Sequence, residues 1–398
     1  MVQAPRLDGG PAMMAIRILW FGFLLRLGVA FWNGFFGPSF GAEGDAFDQH
    51  LLALDFMRGI TPRIMRVDYL YSYVLGLFYS ATVTSLFIGS ILSCLAWFIS
   101  ALALLASMNL LDIPRRSQAI AMLLFATSPS SLMWTSVTMR EPYQLLVVSV
   151  AMLAALKIGV QKRYRYWLVM IGALVCGGIL HGGLLGWGVT LVVSTLAWQL
   201  TQKKGFITPG RLVVAAIVAA AVLWGGYRAF RSLYDFPVDR GLAFAVNSYQ
   251  RGGLSIGVRT DYRTSVEIAD NIDLLQFIPV ALLQYLFEPM PWRVSSPADL
   301  VPVVENLLRA VLVLQALQSL WQLRGGARRA ALVVFASYLV LETAWALGTF
   351  NWGTAARHHI PGMGLLLLAA FAYPRRQPSA VAARDPRRTG PPLTPAPA

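Results

Sequence analysis

Residues 84–116 read TSLFIGSILSCLAWFISALALLASMNLLDIPRR. No charged side chain occurs before Asp112, and two arginines, Arg115 and Arg116, follow at once. An apolar run of roughly 20 residues is long enough to cross the hydrocarbon layer of a bilayer as a helix. This stretch therefore predicts a spanning helix over 84–108. The arginines behind it mark the cytoplasmic end, because Lys and Arg concentrate in short cytoplasmic loops.

The pattern repeats along the chain. Comparable runs predict spans at 18–36, 118–135, 143–160, 167–180, 184–200, 212–230, 302–322, 330–349 and 359–373, ten in all with 84–108. The whole sequence agrees: 57% of its 398 residues are hydrophobic and 13% are charged. A soluble domain carries about twice that charge. The expected fold class is an all-α polytopic membrane protein with about ten transmembrane helices and further helices at the outer interface. The organisation is a cytoplasmic N-terminus (1–17), a polytopic domain (18–373) with outer loops 37–83 and 231–301, and a Pro/Ala/Arg-rich tail (374–398) expected to be disordered and cytoplasmic.

Charge fixes the orientation. With the N-terminus in the cytoplasm, the cytoplasmic pieces hold nineteen Lys/Arg and three acids, Asp8, Asp112 and Asp385. The other side holds twelve Arg, no Lys and fourteen acids. A net charge of +14 could suggest nucleic acid, but it sorts by loop rather than forming a basic aromatic surface, so nucleic acid is not an expected partner. Two further apolar stretches, 68–83 and 272–289, would reverse every later loop if they crossed. They are expected to lie at the outer interface, where Tyr69, Tyr71, Tyr73 and Tyr79 suit the headgroup level. Cys94 and Cys176 sit inside apolar runs with no metal-ligand spacing.

Polar residues that interrupt so apolar a chain are the candidates for chemistry. The outer loop 37–66 holds Glu43, Asp45, Asp48 and His50 just beyond the first span. Acids there suit general-base work, metal ligation or sugar hydroxyls, and are also ordinary in a solvated loop. The turn 136–142, SVTMREP, places Arg140 and Glu141 between two spans. Glu and Pro at a helix start are good capping choices, yet both charged residues can also face the cavity of Asp45. The segment FNWGTAARHHIPG at 350–362 holds Arg357, His358 and His359. Arg binds phosphate oxygens through a two-pronged fork, so this cluster suits a lipid-linked phosphate. Adjacent histidines point to different helix faces, which argues against a shared metal. Trp292 and Arg293, in FEPMPWRV, suit a sugar and a phosphate, or simple interfacial anchoring. Arg26, Glu305, Arg309 and Glu342 fall within spans, where charges are costly and need partners or a cavity.

This series resembles the GT-C superfamily of membrane glycosyltransferases that use polyprenyl-phosphate sugars. The first outer loop of such enzymes runs roughly D-[DE]-x-x-Y-x-x-x-A. Asp45 matches its first acid and Ala53 its small residue, while Ala46 and Gln49 replace the second acid and the Tyr. SPSSLMWTSVTMREPYQLL, PMPW and NWGTAARHH are similar to segments of bacterial polysaccharide-cluster membrane proteins. Together these motifs cover most of 18–373.

The resemblance implies hexosyl or pentosyl transfer from a polyprenyl-phosphate donor to a glycan, lipid or protein acceptor at the outer face of the cytoplasmic membrane. Asp45, with Glu43, Asp48 and Glu141, would supply the catalytic carboxylates. Arg140, Trp292, Arg293, Arg357 and His358 would hold sugar and phosphate. No cofactor is required by the motifs, and a divalent metal stays open. A surface-polysaccharide polymerase or ligase is the alternative. A flippase or transporter is a weaker one, because no internal repeat is visible.

Overall fold

A computed structural model describes residues 11–37, 43–60, 69–202, 224–225, 228, 241–254, 259–262 and 268–372. These residues form helices and connecting turns, with no strand among them beyond one isolated bridge between Asp261 and Asn351. The helices are α1 (Pro11–Phe35), α2 (Glu43–Met57), α3 (Leu70–Ala81), α4 (Leu86–Leu110), α5 (Arg115–Thr127), α6 (Pro129–Trp134), α7 (Glu141–Gln161), α8 (Tyr166–Leu180) and α9 (Gly182–Gln202). They continue as α10 (Leu242–Leu254), α11 (Asn271–Phe287), α12 (Leu300–Gln322), α13 (Gly325–Leu347), α14 (Trp352–His358) and α15 (Ile360–Phe371). Six are long and apolar enough to cross a membrane: α1, α4, α7, α9, α12 and α13. The described residues are nearly all helical, and the six long apolar helices fit an all-α, membrane-embedded protein.

Three of the ten expected spans take another form, and a fourth lies almost wholly outside the described residues. The span at 118–135 is two helices, α5 and α6, broken at Ser128-Pro129. Those at 167–180 and 359–373 are the short apolar helices α8 and α15. The one at 212–230 lies outside the described residues save Trp224, Gly225 and Arg228, as do the tail and the first ten residues of the N-terminal segment. Of the two interfacial candidates, α3 has 12 residues, so it is about 18 Å long and too short for a ~30 Å hydrocarbon layer. The second, α11, has 17 residues, or about 25 Å, with Pro279 inside it. The segment expected as an acidic loop is largely helical. α2 lies on α3 through Ala53, Tyr71, Leu75 and Tyr79, an apolar stripe that the surrounding acids obscure in the sequence.

Packing follows residue size. Ser93, Ser100 and Ser107 line the buried side of α4, each hydroxyl donating to the carbonyl four residues back. Small residues let helices approach closely, and their hydroxyls stay satisfied without water. Gly89 on the same helix fits against Thr138, and Gly22 of α1 against Ala126. At the other extreme, Trp20, Leu24 and Leu314 face outward, as expected of lipid-facing side chains.

The break at Pro129 accounts for two of the four intramembrane charges. Proline lacks an N–H and ends the helical ladder, leaving backbone groups of α5 and α6 unpaired. Arg26, fully buried, donates to the Ala126 carbonyl (2.8 Å), Thr135 Oγ1 (2.7 Å) and Ser131 Oγ (3.1 Å), and its guanidinium lies 3.6 Å from the centre of the Trp97 ring. Glu305 approaches from α12 and accepts from the Ser130 N–H (2.9 Å) and the hydroxyls of Ser128 and Ser130. Each charge therefore caps a broken helix.

Candidate functional site

The ends of α1 and α13 and the starts of α2, α7 and α15 gather at one end of the bundle, and α14 crosses there. Asp45 stands in the first turn of α2, with its side chain 52% exposed. The α2 helix is held by polar clasps to α3 and the turn that follows it. Gln49 accepts from the Ser72 hydroxyl, and His50 Nδ1 lies 2.9 Å from the Tyr79 hydroxyl, which in turn reaches the Ser85 carbonyl. Partial burial lowers the His50 imidazole below its ordinary value. Ala46 and Ala53 are buried in the packing, so an acid at 46 would enter the core.

Arg357, in the last turn of α14, donates through Nη1 to Asp45 Oδ2. Its Nε lies 3.8 Å from Glu141 Oε1, and its guanidinium is 5.9 Å from the Trp134 ring. Glu141 is the first residue of α7, where a carboxylate complements the helix dipole, yet it is only 2% exposed. Neither Glu141 Oε2 nor Arg357 Nε has a hydrogen-bond partner among the described residues. Buried polar atoms are nearly always satisfied, and those left open cluster where a protein works. Arg140, the residue before, is half-buried; its side chain makes no hydrogen bond or ion pair among the described residues. Three polar segments far apart in sequence thus meet at one place.

Behind Arg357 lie two histidines. The His358 ring stacks on Trp345 (centres 4.5 Å apart, 27° between planes), and the His181 ring lies 4.0 Å from the same tryptophan. Thr349 Oγ1 donates to the Trp345 carbonyl and so accepts from His358 Nδ1–H at 3.3 Å, leaving His358 Nε2 as a lone pair. His181 is the reverse: its Nδ1 accepts the Gly183 N–H at 3.0 Å, so its proton sits on Nε2. Burial drives both imidazoles well below their ordinary value; the neighbouring Arg357 and Arg140 add to this at His358, and Arg140 adds to it at His181. Burial also lowers Arg357.

No family model, curated protein or solved structure matches the chain. The site is therefore read from its own residues.

Among the sequence-derived candidates, Asp45, Glu141, Arg140, Arg357 and His358 come together. Glu43 opens α2, and Asp48 is exposed one turn beyond Asp45. Arg293 stands apart and is already engaged. It pairs with Glu288 (3.0 Å), donates to the Asp261 carbonyl (2.9 Å) and covers the Trp352 ring, while Trp292 beside it is 80% exposed. Arg293 thereby fastens residues 259–262 beside the start of α14. His359, as adjacency predicts, faces away from His358. It contacts Glu342 (2.6 Å) and the Tyr285 carbonyl (3.0 Å). Among the described residues no group of three His, Cys, Asp or Glu could hold a metal ion.

His181, Trp345 and Thr349 escaped the sequence reading. A lone histidine between two apolar runs gives one faint signal, the HGG break itself. Chemically, the cluster offers an accessible carboxylate, a guanidinium bound to it, a second guanidinium with no hydrogen bond or ion pair among the described residues, and two neutral imidazoles of opposite tautomer.

Proposed function

We propose that this chain is an integral-membrane glycosyltransferase that moves a sugar from a polyprenyl-phosphate donor to a glycan, lipid or protein acceptor. The supporting observation is the meeting of Asp45, Arg357 and Glu141 beside Arg140. By the distribution of Lys and Arg, this end faces away from the cytoplasm.

In this reading Asp45 accepts the proton of the acceptor hydroxyl as its oxygen attacks the anomeric carbon. The bond from that carbon to the phosphate oxygen breaks, and polyprenyl phosphate leaves with the electron pair. Arg357 and Arg140 hold the charge that grows on the leaving oxygen. The phosphate competes with Asp45 for Arg357, so donor binding frees the carboxylate to act as a base. Glu141, buried beside Arg357, keeps the guanidinium aimed. The neutral His358 and His181 offer one acceptor and one donor without adding charge.

The direct test incubates purified protein with a panel of polyprenyl-phosphate sugars and candidate acceptors. Glycosylated product and free polyprenyl phosphate should form in equal amounts from at least one donor. Full recovery of every donor, with protein shown to be folded, would contradict the proposal.

A further inference from the structure

A small cavity of about 50 Å³ lies between α12, α13, α15 and the α5–α6 break. Its polar lining includes Glu305, Arg309 and Tyr338; Leu312, Met363 and Leu366 form an apolar part. Glu305 is already occupied by Ser128 and Ser130. Arg309 donates through Nη1 to the Leu286 carbonyl (3.0 Å) and to Asn306, but among the described residues its Nε and Nη2 find no acceptor and no carboxylate lies within 4 Å of it. The Tyr338 side chain is 1% exposed and its hydroxyl has no hydrogen-bond partner among the described residues.

An arginine inside a membrane helix is expensive, and such residues pair or serve a ligand. Glu305 lines the same cavity and Glu342 acts on Arg309 electrostatically, but neither carboxylate reaches the guanidinium within 4 Å. Here the free guanidinium edge and the unpaired phenol border one cavity. Both are hydrogen-bond donors, so the missing group is an anionic acceptor. Nine residues separate Leu300 from Arg309, and nine separate Tyr338 from Leu347. At about 1.5 Å per residue, both groups sit roughly 14 Å inside their helix ends. Stripping a free inorganic anion of water to reach that depth is costly, whereas an anion carried on a hydrocarbon chain buries the chain as it arrives.

We infer that this cavity binds the phosphate of a lipid, with the phosphate against Arg309 and the Tyr338 hydroxyl and the chain along Leu312, Met363 and Leu366. The seat is separate from the Asp45–Arg357 pair and does not rest on the transfer reading. Tyr338→Phe is the informative change, since it deletes an oxygen that makes no hydrogen bond among the described residues and leaves the ring packed.

The test measures binding of farnesyl phosphate, farnesol and inorganic phosphate to the purified full chain in detergent. It is done in the Arg357→Ala background, so that the ion-pair cluster does not contribute. Farnesyl phosphate should bind at least about 10-fold tighter than farnesol, and inorganic phosphate should not compete at equal concentration. Adding Tyr338→Phe should weaken farnesyl phosphate by about 10-fold, as expected for a hydrogen bond to a charged group, and leave farnesol unchanged. Equal binding of farnesol, or full competition by inorganic phosphate, would overturn the lipid-phosphate seat. So would unchanged affinity after Tyr338→Phe, or loss of all binding in Arg357→Ala alone; the latter would place the phosphate at the outer cluster and leave the transfer reading standing. A Tyr338→Phe effect in a protein that transfers no sugar would do the opposite.

Discussion

Arg357 donates to Asp45 across 312 positions of sequence, and the same guanidinium leans on the buried Glu141. Two carboxylates of different character thus share one cation: Asp45 is half-exposed, while Glu141 is enclosed. The exposed partner is free to exchange Arg357 for a substrate, and the enclosed one is not.

Arg357 and Glu141 should therefore fail in distinguishable ways. Arg357→Ala is expected to raise the KM for a lipid-phosphate donor by about 100-fold, and Arg357→Lys to restore it only in part, because lysine lacks the planar fork. Glu141→Gln keeps shape and hydrogen bonding, so the thermal midpoint should stay close to wild type, while donor KM rises by about 10-fold as Arg357 loses its anchor. Steady-state kinetics over donor concentration read both.

Arg26 should act on the fold alone. Arg26→Leu leaves the Ala126 carbonyl and the hydroxyls of Thr135 and Ser131 without their buried donor. A cost of about 3–5 kcal/mol is expected for emptying such a network. Thermal unfolding in detergent should show a large loss in midpoint. The fraction that remains folded should keep its donor KM.

The histidine pair gives a pH signature. Burial holds His181 and His358 below the ordinary imidazole value of about 6.5, the value that applies once the chain unfolds. Between the two values the unfolded chain binds more protons, so stability is full above about pH 6.5 and falls as pH drops toward the folded values. The thermal midpoint should decline from pH 7 to pH 5. In a His181→Gln, His358→Gln double variant that decline should be shallower, while the charged neighbours Arg140, Arg357 and Asp45 remain.

Much of this was legible in the sequence, for physical reasons. Hydrocarbon thickness demands long apolar runs, so the six long helices stand out. Against that background Asp45, Glu141 and Arg357 are conspicuous. Their meeting was not legible, because it depends on how distant helices pack. The break at Pro129 was hidden inside a run that reads as one span, and with it the partners of Arg26 and Glu305. Arg293 looked available in sequence, but Glu288 and Trp352 enclose it. The helix at Glu43–Met57 was masked by its own acids, since its apolar stripe is short.

Asp45 carries the central claim. Asp45→Asn preserves size and keeps an oxygen for Arg357, but an amide cannot accept a proton at neutral pH, and a positioned base contributes roughly 100- to 10,000-fold. The decisive measurement is kcat for sugar transfer from a polyprenyl-phosphate donor by folded Asp45→Asn protein, compared with Asp55→Asn further along α2. The account predicts a loss of at least about 100-fold for Asp45→Asn with the thermal midpoint retained, and a small change for Asp55→Asn. A near-normal kcat in Asp45→Asn would contradict it.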